Sequence, residues 1–442
     1  MDDVAAFQQE LYEEHQEEAS FLYELRTGLI HDEELSWLDL EDFDQRIQAH
    51  LDGLAGGGIH GRSVAIGAAH SGEAGSIYVA ARNLCNAGDL GEFLDFLKEL
   101  EMEEGEAYQA LVDGLCLGCP EAWFPSLISF AEEESPALLT ILMRVLAWRR
   151  VKEAMPFIMR HRHNPTMPDS LAWAQCRIPM PQLRYENTQF LLSEGPQEQK
   201  TDCALALLQL GDTQFLAQLS ASHPWARIPL GLAGSRHHVR ALLQATPITI
   251  HGLLALGLLG DPLAIPLLLE FLAEPLAAPS AAQALQLITG ADLWEEVFLA
   301  EDVEEEDLLE EERQARRAGE PATNPNGQPA GEYLTRLCQS PETWHAWWQA
   351  NAARFQEGLR YRNGHPFTPA CLLENLRSEK SPNRFRALAH LEFQIRYGFS
   401  VPFELEMPIG QQKQALHAYA TWVEEHQARF DPGQWYFAGL RQ

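Results

Sequence analysis

Residues 251–272 read HGLLALGLLGDPLAIPLLLEFL, and they predict the structural class of the chain. Two apolar runs, 253–259 and 263–272, flank Gly260 and Asp261. Glycine suits the left-handed position that ends a helix, and Asp followed by Pro suits the N-cap and first position of the next helix. The second run leaves almost no polar face, so it must be covered on most sides. The segment therefore predicts a helical hairpin that stacks against further hairpins.

The same order of apolar helix, short turn and apolar helix recurs from about residue 59. Successive turns are 30, 31, 30, 32, 23 and 26 residues apart, a little short of the usual HEAT or armadillo period. One repeat could not bury its own apolar face, whereas a stack can form a continuous core. The sequence predicts an all-α fold, a HEAT-like α-solenoid of stacked helical hairpins. The turns centre on Gly88, Gly118, Arg149, Pro179, Gly211, Gly234 and Gly260.

Composition divides the chain into four segments. Residues 1–56 read as two Glu-rich amphipathic helices, an N-terminal helical cap of the kind that a solenoid needs at its end. Residues 57–293 hold the HEAT-like repeats. Residues 294–333 are acidic and then rich in Pro and Gly, which predicts a mobile linker, with a partner-binding loop as the alternative. Residues 334–442 form an aromatic-rich and mostly helical C-terminal region.

The charge of the chain favours some partners and disfavours others. Its 32 Lys and Arg against 64 Asp and Glu give a formal net charge of −32. Such a field repels phosphate backbones and anionic lipid surfaces, so we expect no direct binding to nucleic acid or membranes. It suits a partner with a basic surface; the alternative is that the acid only keeps a large surface soluble.

The sequence also predicts a compartment. The N-terminus is acidic and lacks the basic-then-apolar order of a signal peptide. No apolar run approaches the length that spans a bilayer, and seven cysteines do not read as a disulfide framework. We therefore expect a cytoplasmic protein.

Two groups of side chains are candidates for partner binding. The acidic group would steer a basic partner towards the chain. The tryptophans would either anchor an interface or form core between the last repeats and the C-terminal helices. The candidates are Glu304, Glu305, Glu306, Asp307, Glu310, Glu311, Glu312, Trp344, Trp347 and Trp348.

Several fragments have the outline of a chemical site without its essential parts. Residues 56–63, GGGIHGRS, resemble a phosphate loop, but a predicted helix precedes them and Arg62 replaces the lysine, so an interhelix turn is predicted. Cys116 and Cys119 form a single CxxC with no second pair of zinc ligands. Residues 149–163 carry a basic segment, read as an exposed helix end or as a patch that docks the chain's own acid or a partner's. We predict no catalytic, metal or cofactor-binding residues, and a protein that is not an enzyme.

Two stretches resemble a known family. LALGLLGDPLAIPLLLEFL resembles the HEAT-type hairpin, and the C-terminal aromatic pattern is WxxWWxxNxxxFxxGxRYRxG. Together with the N-terminal FLYELR…LEDFDQRIQAHLDGL, these are similar to a family of HEAT-like proteins encoded in type VI secretion effector clusters of Gram-negative bacteria. The sequence around Pro179 departs from the repeat. The aromatic pattern comprises Trp344, Trp347, Trp348, Asn351, Phe355, Gly358, Arg360, Tyr361, Arg362 and Gly364.

The resemblance implies a cytoplasmic non-enzyme that binds a toxic effector from its own cluster. The first expectation is an immunity protein that neutralises the effector, which is expected to be basic and nuclease-like. The second is an adaptor that holds the effector for loading onto secretion spike proteins. The third is a HEAT-like repeat enzyme, which would need clustered His and Glu near a concave face. The family supplies no catalytic residues.

Overall fold

The computed structural model describes residues 2–32, 35–100, 105–134, 136–164, 167–300 and 331–442. Helices dominate these ranges and the strands are short, which confirms the prediction of a mostly helical fold. The chain divides into two compact units, Met1–His238 with Thr368–Gln442 and Val239–Phe367. We call these unit 1 and unit 2. Within the described residues, no helix combines the length and apolar character needed to cross a membrane.

Unit 1 begins with helices in close succession. They are α1 (Asp2–Leu29), α2 (Leu40–Gly56), α3 (Ile59–Ala69), α4 (Ala74–Ala87), α5 (Leu90–Glu99), α6 (Glu106–Gly118), α7 (Phe124–Glu134), α8 (Pro136–Arg149), α9 (Ala154–His161), α10 (Pro168–Arg177), α11 (Arg184–Leu192), α12 (Gln197–Gln209), α13 (Thr213–Gln218) and α14 (Arg227–Ala233). Helix α15 (Arg236–Leu243) crosses the boundary between the units.

Unit 2 and the second part of unit 1 mix helices with short strands. In unit 2 they are α16 (Ile250–Leu259), α17 (Ile265–Phe271), α18 (Ala278–Thr289), β1 (Trp294–Ala300), β2 (Gly331–Leu337), α19 (Pro341–Asn351), β3 (Tyr361–Arg362) and β4 (His365–Pro366). Unit 1 resumes with α20 (Pro369–Arg377), α21 (Asn383–Tyr397), α22 (Ile409–His426), β5 (Tyr436–Phe437) and β6 (Leu440–Arg441).

The helices of unit 1 pack in chain order. Helix α4 contacts α6, α6 contacts α8, and the series continues through α10 and α12 to α14. Intervening helices lie beside their neighbours: α5 contacts α4, α7 contacts α8, and α11 contacts α12. Fully buried side chains such as Phe93, Leu115 and Leu142 fill the core between them. Burial of this apolar surface is the main source of stability, at about 25 cal/mol per Å².

The turn at Gly260 and Asp261 forms as the sequence predicts. Gly260 ends α16 in the left-handed conformation, with φ of 73°, and the Asp261 carboxylate accepts a hydrogen bond from the Leu263 amide at 3.0 Å. The predicted second run divides into a short 3-10 turn at Pro262–Ala264 and helix α17. Pro266 at the start of α17 has no N–H to continue a single helix from Leu263.

The segment interpreted as a linker has strands at both ends. Strand β1 pairs antiparallel with β2, in a register that runs from Trp294 opposite Leu337 to Ala300 opposite Gly331. The rings of Phe298 and Tyr333 meet edge to face across the pair, with their centroids 5.3 Å apart. The acidic and then Pro- and Gly-rich composition of residues 294–333 obscured the β-favouring residues Val297, Phe298 and Tyr333. Residues 301–330 lie outside the described residues.

A sequence motif occurs twice, 75 residues apart, at 355–367 (FQEGLRYRNGHPF) and 430–442 (FDPGQWYFAGLRQ). Each copy follows a helix and a 3-10 turn, and each closes in a two-residue hairpin, β3–β4 or β5–β6. Both turn residues have positive φ in each copy, Asn363 and Gly364 in the first, Ala438 and Gly439 in the second. This is the geometry of a type I′ turn, which matches the twist of the strands.

In the first copy, the hairpin covers the end of a helix. The amides of Asn363 and Gly364 donate to the carbonyls of Leu287 and Ile288 at 2.8 and 3.1 Å. These carbonyls lie in the last turn of α18, where helical carbonyls have no partner within the helix. The Tyr361 hydroxyl accepts a hydrogen bond from the Gln356 amide at 2.8 Å.

The second copy makes the same bonds. The amides of Ala438 and Gly439 donate to the carbonyls of Ile395 and Arg396, both at 2.8 Å, in the last turn of α21. The Tyr436 hydroxyl accepts from the Asp431 amide at 2.9 Å. We call these two elements the capping hairpins. Only the first stands out as a motif in the sequence, because the arginines around Tyr361 are replaced by Trp and Phe in the second.

The equivalence of the capping hairpins predicts equal responses to one change. Tyr361→Phe and Tyr436→Phe should each lower the free energy of unfolding by about 1 kcal/mol, because each leaves one backbone amide without its acceptor. Equilibrium urea unfolding measures the loss. Tyr333→Phe is the control, because that side chain is 75% exposed and its loss should be near zero. A loss in only one of the two hairpin variants would contradict the equivalence.

Candidate functional site

The structure places some of the predicted partner-binding residues. The acidic group from Glu304 to Glu312 lies outside the described residues. Trp344 is 1% exposed in unit 2, and its indole N–H donates to the Cys338 carbonyl at 2.6 Å. Trp347 and Trp348 are half-buried, and both pack against Phe355. Partner binding by these residues stays a prediction.

The glycine-rich fragment and the CxxC lie in helical surroundings. Residues 57–58 separate α2 from α3, and the Arg62 guanidinium pairs with Glu92 at 2.8 Å. This confirms the interhelix turn. Cys116 and Cys119 are buried at the end of α6. In the described parts of the chain, no three His, Cys, Asp or Glu side chains are grouped so as to hold a metal ion.

The basic segment contacts acid from the same chain. The Arg160 guanidinium pairs with the exposed Glu132 at 2.5 Å. The Arg150 guanidinium lies 3.0 Å from Glu404, in the loop between α21 and α22. The segment was interpreted either as an exposed helix end or as a patch that docks acid. Arg150 and Arg160 do the second, since both bind carboxylates of the same chain.

Glu404 is held by two arginines of the first part of unit 1, Arg150 in the turn after α8 and Arg177 at the end of α10. Besides Arg150, it accepts a hydrogen bond from Arg177 at 2.7 Å, and it is 8% exposed. Burial raises the pKa of Glu404, but the charges of Arg177 and Arg150 outweigh it and hold the pKa below its usual range. We call Arg150, Arg177 and Glu404 the carboxylate clamp, because they join the loop between α21 and α22 to the turn after α8 and to α10.

Unit 1 also contains a cleft of about 610 Å³, lined by α1, α2, α4, α6 and the residues around the start of α22. This volume is typical of small-molecule sites in proteins. The rings of Tyr23 and Tyr78 form one wall, stacked with their centroids 4.0 Å apart. We call it the tyrosine cleft.

Asp113 of α6 is the unusual acid of the tyrosine cleft. It accepts hydrogen bonds from the Tyr23 hydroxyl at 2.8 Å and from the Gln109 amide at 2.7 Å. Burial raises the pKa of Asp113 to about 6, and these two hydrogen bonds only partly oppose the rise. Burial and the negative charge of Glu404 also raise the pKa of Glu406. Perturbed carboxyl groups in a cleft are typical of functional sites.

Both arginines of the tyrosine cleft already make hydrogen bonds to residues of this chain. Arg26 pairs with Asp44 at 2.6 Å and donates to the Met407 carbonyl at 3.1 Å. Arg82 donates to the Tyr78 hydroxyl at 2.9 Å. The wall near α22 is fixed in turn, because the Asp44 carboxylate accepts from the Ile409 amide at 2.6 Å.

Sequence reasoning missed this cleft because its residues come from distant positions without a motif. The available signal was polar residues inside apolar repeat helices, such as Asp113 within LVDGLCLG. Tyr78 and Arg82, four residues apart on one helix face, were a second signal. Neither signal identifies the C-terminal segment as a wall.

The raised pKa of Asp113 predicts a specific pH dependence. Between the unfolded pKa near 4 and the folded pKa of about 6, the folded protein holds the proton more tightly, so stability falls as pH rises through this window. Asp113→Asn removes the charge and should raise the free energy of unfolding at pH 7 by roughly 1 to 2 kcal/mol, with no gain near pH 4.

Urea unfolding at both pH values measures this gain. Asp95→Asn is the matched control, because Asp95 is an exposed acid that pairs, among the described residues, with the exposed Lys98 and should change stability little at either pH. An Asp113→Asn protein that is less stable than the parent at pH 7 would contradict the prediction.

Comparisons with protein-family models, with curated proteins and with solved structures found no match to this chain.

Proposed function

We propose that this chain is a HEAT-like α-solenoid that acts in the cytoplasm as a type VI secretion immunity protein. It binds a basic effector toxin from its own gene cluster and neutralises it by occupying it, without catalysis. The observation that carries the proposal is a large acid excess, a net charge of −32, on helices that pack in chain order from α4 to α14. Such packing supports an extended helical-repeat scaffold, the architecture that many proteins use to present binding surfaces.

The charge supports a basic partner in particular. Toxins that cut nucleic acid need cationic surfaces to hold phosphates. An acidic protein attracts such a surface over a distance and suppresses association with other acidic proteins. The same field opposes direct binding of nucleic acid to this chain. Neutralisation then follows from competition, because the immunity protein covers cations that the toxin needs for its substrate.

One experiment tests the immunity function. The effector genes beside the gene for this chain are expressed in a susceptible host, with and without this chain. We expect restored growth and a stoichiometric complex that purifies as one species. Growth arrest in the presence of this chain, with no complex recovered, would refute the proposal.

The acidic candidates give a kinetic prediction for that complex. Replacing the seven acids from Glu304 to Glu312 with Gln or Asn should lower the association rate about tenfold at low salt and reduce its salt dependence, with little change in the dissociation rate. Stopped-flow binding at several salt concentrations measures both rates. An unchanged association rate would show that these residues do not steer the partner.

The division into two compact units favours one alternative, an adaptor that holds the effector and a secretion spike protein on separate surfaces. Deletion of the gene distinguishes the two functions. Loss of an adaptor abolishes effector export and leaves the producing cells unharmed, whereas loss of an immunity protein exposes them to the toxin.

A further inference from the structure

We propose that the tyrosine cleft is a binding site for an organic cation, a guanidinium or ammonium group, supplied by a basic side chain of the partner. This inference rests on the proposed function for the source of the cation, but the site itself is argued from the geometry of unit 1 alone. Nothing in the sequence patterns assigned a role to the cleft. Three features of the cleft support a bound cation: its charge, its aromatic wall and its size.

Acid exceeds base in the lining of the cleft. Five carboxyl groups and two guanidinium groups line it. The guanidinium of Arg26 already pairs with Asp44 at 2.6 Å, and the ammonium of Lys413 pairs with Glu41 at 2.7 Å. An anion entering the cleft would therefore meet unbalanced negative charge, whereas a cation would be attracted.

Asp113 and Glu406 are the carboxyl groups that a cation would neutralise. Asp113 has only neutral hydrogen-bond donors, Tyr23 and Gln109, and it makes no ion pair within the described residues. Glu406 lies two residues from Glu404, whose negative charge acts against its own ionisation. The charge of Arg177 acts on Glu406, but that guanidinium is bound to Glu404 at 2.7 Å. A cation placed between α6 and the loop before α22 gains charge-assisted hydrogen bonds that the cleft otherwise lacks.

The aromatic wall suits the flat cation of an arginine. Tyr23 and Tyr78 are stacked within 9° of parallel. A guanidinium already lies beside them, since Arg82 is 5.7 Å from the centre of the Tyr78 ring and donates to its hydroxyl. The negative face of an aromatic ring attracts a cation, and a carboxylate nearby adds to that attraction. The indole of Trp148 lines the same cleft.

The size of the cleft favours a side chain carried on a peptide over a metal ion. A volume of about 610 Å³ far exceeds that of an ion and falls in the range of sites for organic ligands. Each Asp113 oxygen also accepts one hydrogen bond, from Tyr23 or from Gln109. Lone pairs remain for a further N–H donor, but the oxygens are not arranged around a small ion. The proposed occupant is therefore a basic side chain with part of its backbone.

The test measures binding of defined cations to the full chain by calorimetry. The probe is the peptide acetyl-Gly-Arg-Gly-amide, and its matched control contains citrulline, which has the same shape without the charge. The measurement is made at about pH 7.5, above the pKa of Asp113, so that the carboxyl group is ionised. We expect the arginine peptide to bind weakly and the citrulline peptide to bind with about tenfold lower affinity.

Variants locate the binding site. Asp113→Asn should lower the affinity for the arginine peptide about tenfold. Asp95→Asn, the exposed control, should leave that affinity unchanged. Because Asp113→Asn is expected to be more stable than the parent at this pH, a loss of binding does not reflect unfolding. Equal affinity for arginine and citrulline peptides, or equal affinity of the parent and Asp113→Asn, would overturn the proposal.

A second arm identifies the source of the cation. Spermidine binding in an Asp113-dependent manner, at least tenfold tighter than the arginine peptide, would support a cation site filled by a free polyamine and overturn the partner side chain as its occupant. If the effector complex of Asp113→Asn has the parent's affinity, the cleft is not used by the partner, while the proposed immunity function stands. If the peptide binds but no effector complex forms, the cation site stands and the proposed function fails.

Discussion

Replacement of Glu404 with alanine is expected to lower the free energy of unfolding by about 3 to 5 kcal/mol. The carboxylate clamp places Glu404 between Arg150 and Arg177 at 3.0 and 2.7 Å, at a side chain that is 8% exposed. Removing the acid leaves two guanidinium groups close together and desolvated, without the charge that compensates them. This unpaired state, more than the loss of attraction itself, accounts for the size of the effect.

The matched control for this variant is Glu41→Ala. Glu41 pairs with Lys413 at 2.7 Å and so also joins the C-terminal segment to the first part of unit 1, but both side chains are about 40% exposed. An exposed pair contributes less than about 1 kcal/mol. Urea unfolding of both variants gives the comparison, and similar losses in the two would show that the clamp does not hold unit 1 together.

At low pH, Glu404→Ala should cause a smaller loss in the free energy of unfolding than at neutral pH. The pKa of Glu404 is held below its usual range, so the clamp contributes stability above the unfolded pKa and loses it as pH falls through the folded pKa. This is the opposite of the Asp113 window, where stability is lost as pH rises. Measured from neutral pH towards pH 3, the difference between Glu404→Ala and the parent should therefore decrease.

The second large effect is expected at Gly260, within unit 2. A Cβ on Gly260 would lie 2.2 Å from the carbonyl oxygen of Tyr361, and the φ of 73° is one that alanine adopts with strain. The first capping hairpin is bonded at this place, since the Tyr361 amide donates to the Gly260 carbonyl at 2.7 Å. Gly260→Ala should lower the free energy of unfolding by about 4 kcal/mol, because neither backbone can move without breaking that bond.

Gly88→Ala is the control that separates the two causes. Gly88 ends α4 with φ of 77°, but nothing lies within 4 Å of its added Cβ. The free energy of unfolding of Gly88→Ala should therefore fall only by the cost of the left-handed conformation, about 1 to 2 kcal/mol. Thermal or urea unfolding measures both proteins. An equal loss in the two would mean that the hairpin contact adds nothing at Gly260.

The elements that the sequence predicts well are those with local causes. Gly260 and Asp261 end one helix and begin the next because their own conformational preferences require it. The helices Asp2–Leu29 and Leu40–Gly56, the two predicted in the N-terminal segment, follow from local pattern as well. The turn near Arg149 also forms without glycine: Arg150 itself takes a φ of 51°, and its side chain is held by Glu404.

The candidate site could not be predicted because its causes are not local. Asp113, Tyr23 and Glu406 meet only when three distant segments pack together, and nothing in their spacing marks that meeting. The second capping hairpin escaped for a different reason. Its geometry depends on a tyrosine, a glycine and a turn of positive φ, while the residues between them differ from the first copy. The strand pair β1–β2 was obscured by the surrounding glutamates.

The composition of unit 1 from two separate parts of the chain has a consequence for synthesis. Arg26 donates to the Met407 carbonyl, and Asp44 accepts from the Ile409 amide. Arg150 and Arg177 pair with Glu404. On the ribosome these arginines emerge long before the acids and carbonyls that complete them, because the whole of unit 2 is translated in between. The N-terminal part of unit 1 can therefore complete these contacts only after unit 2 has been translated.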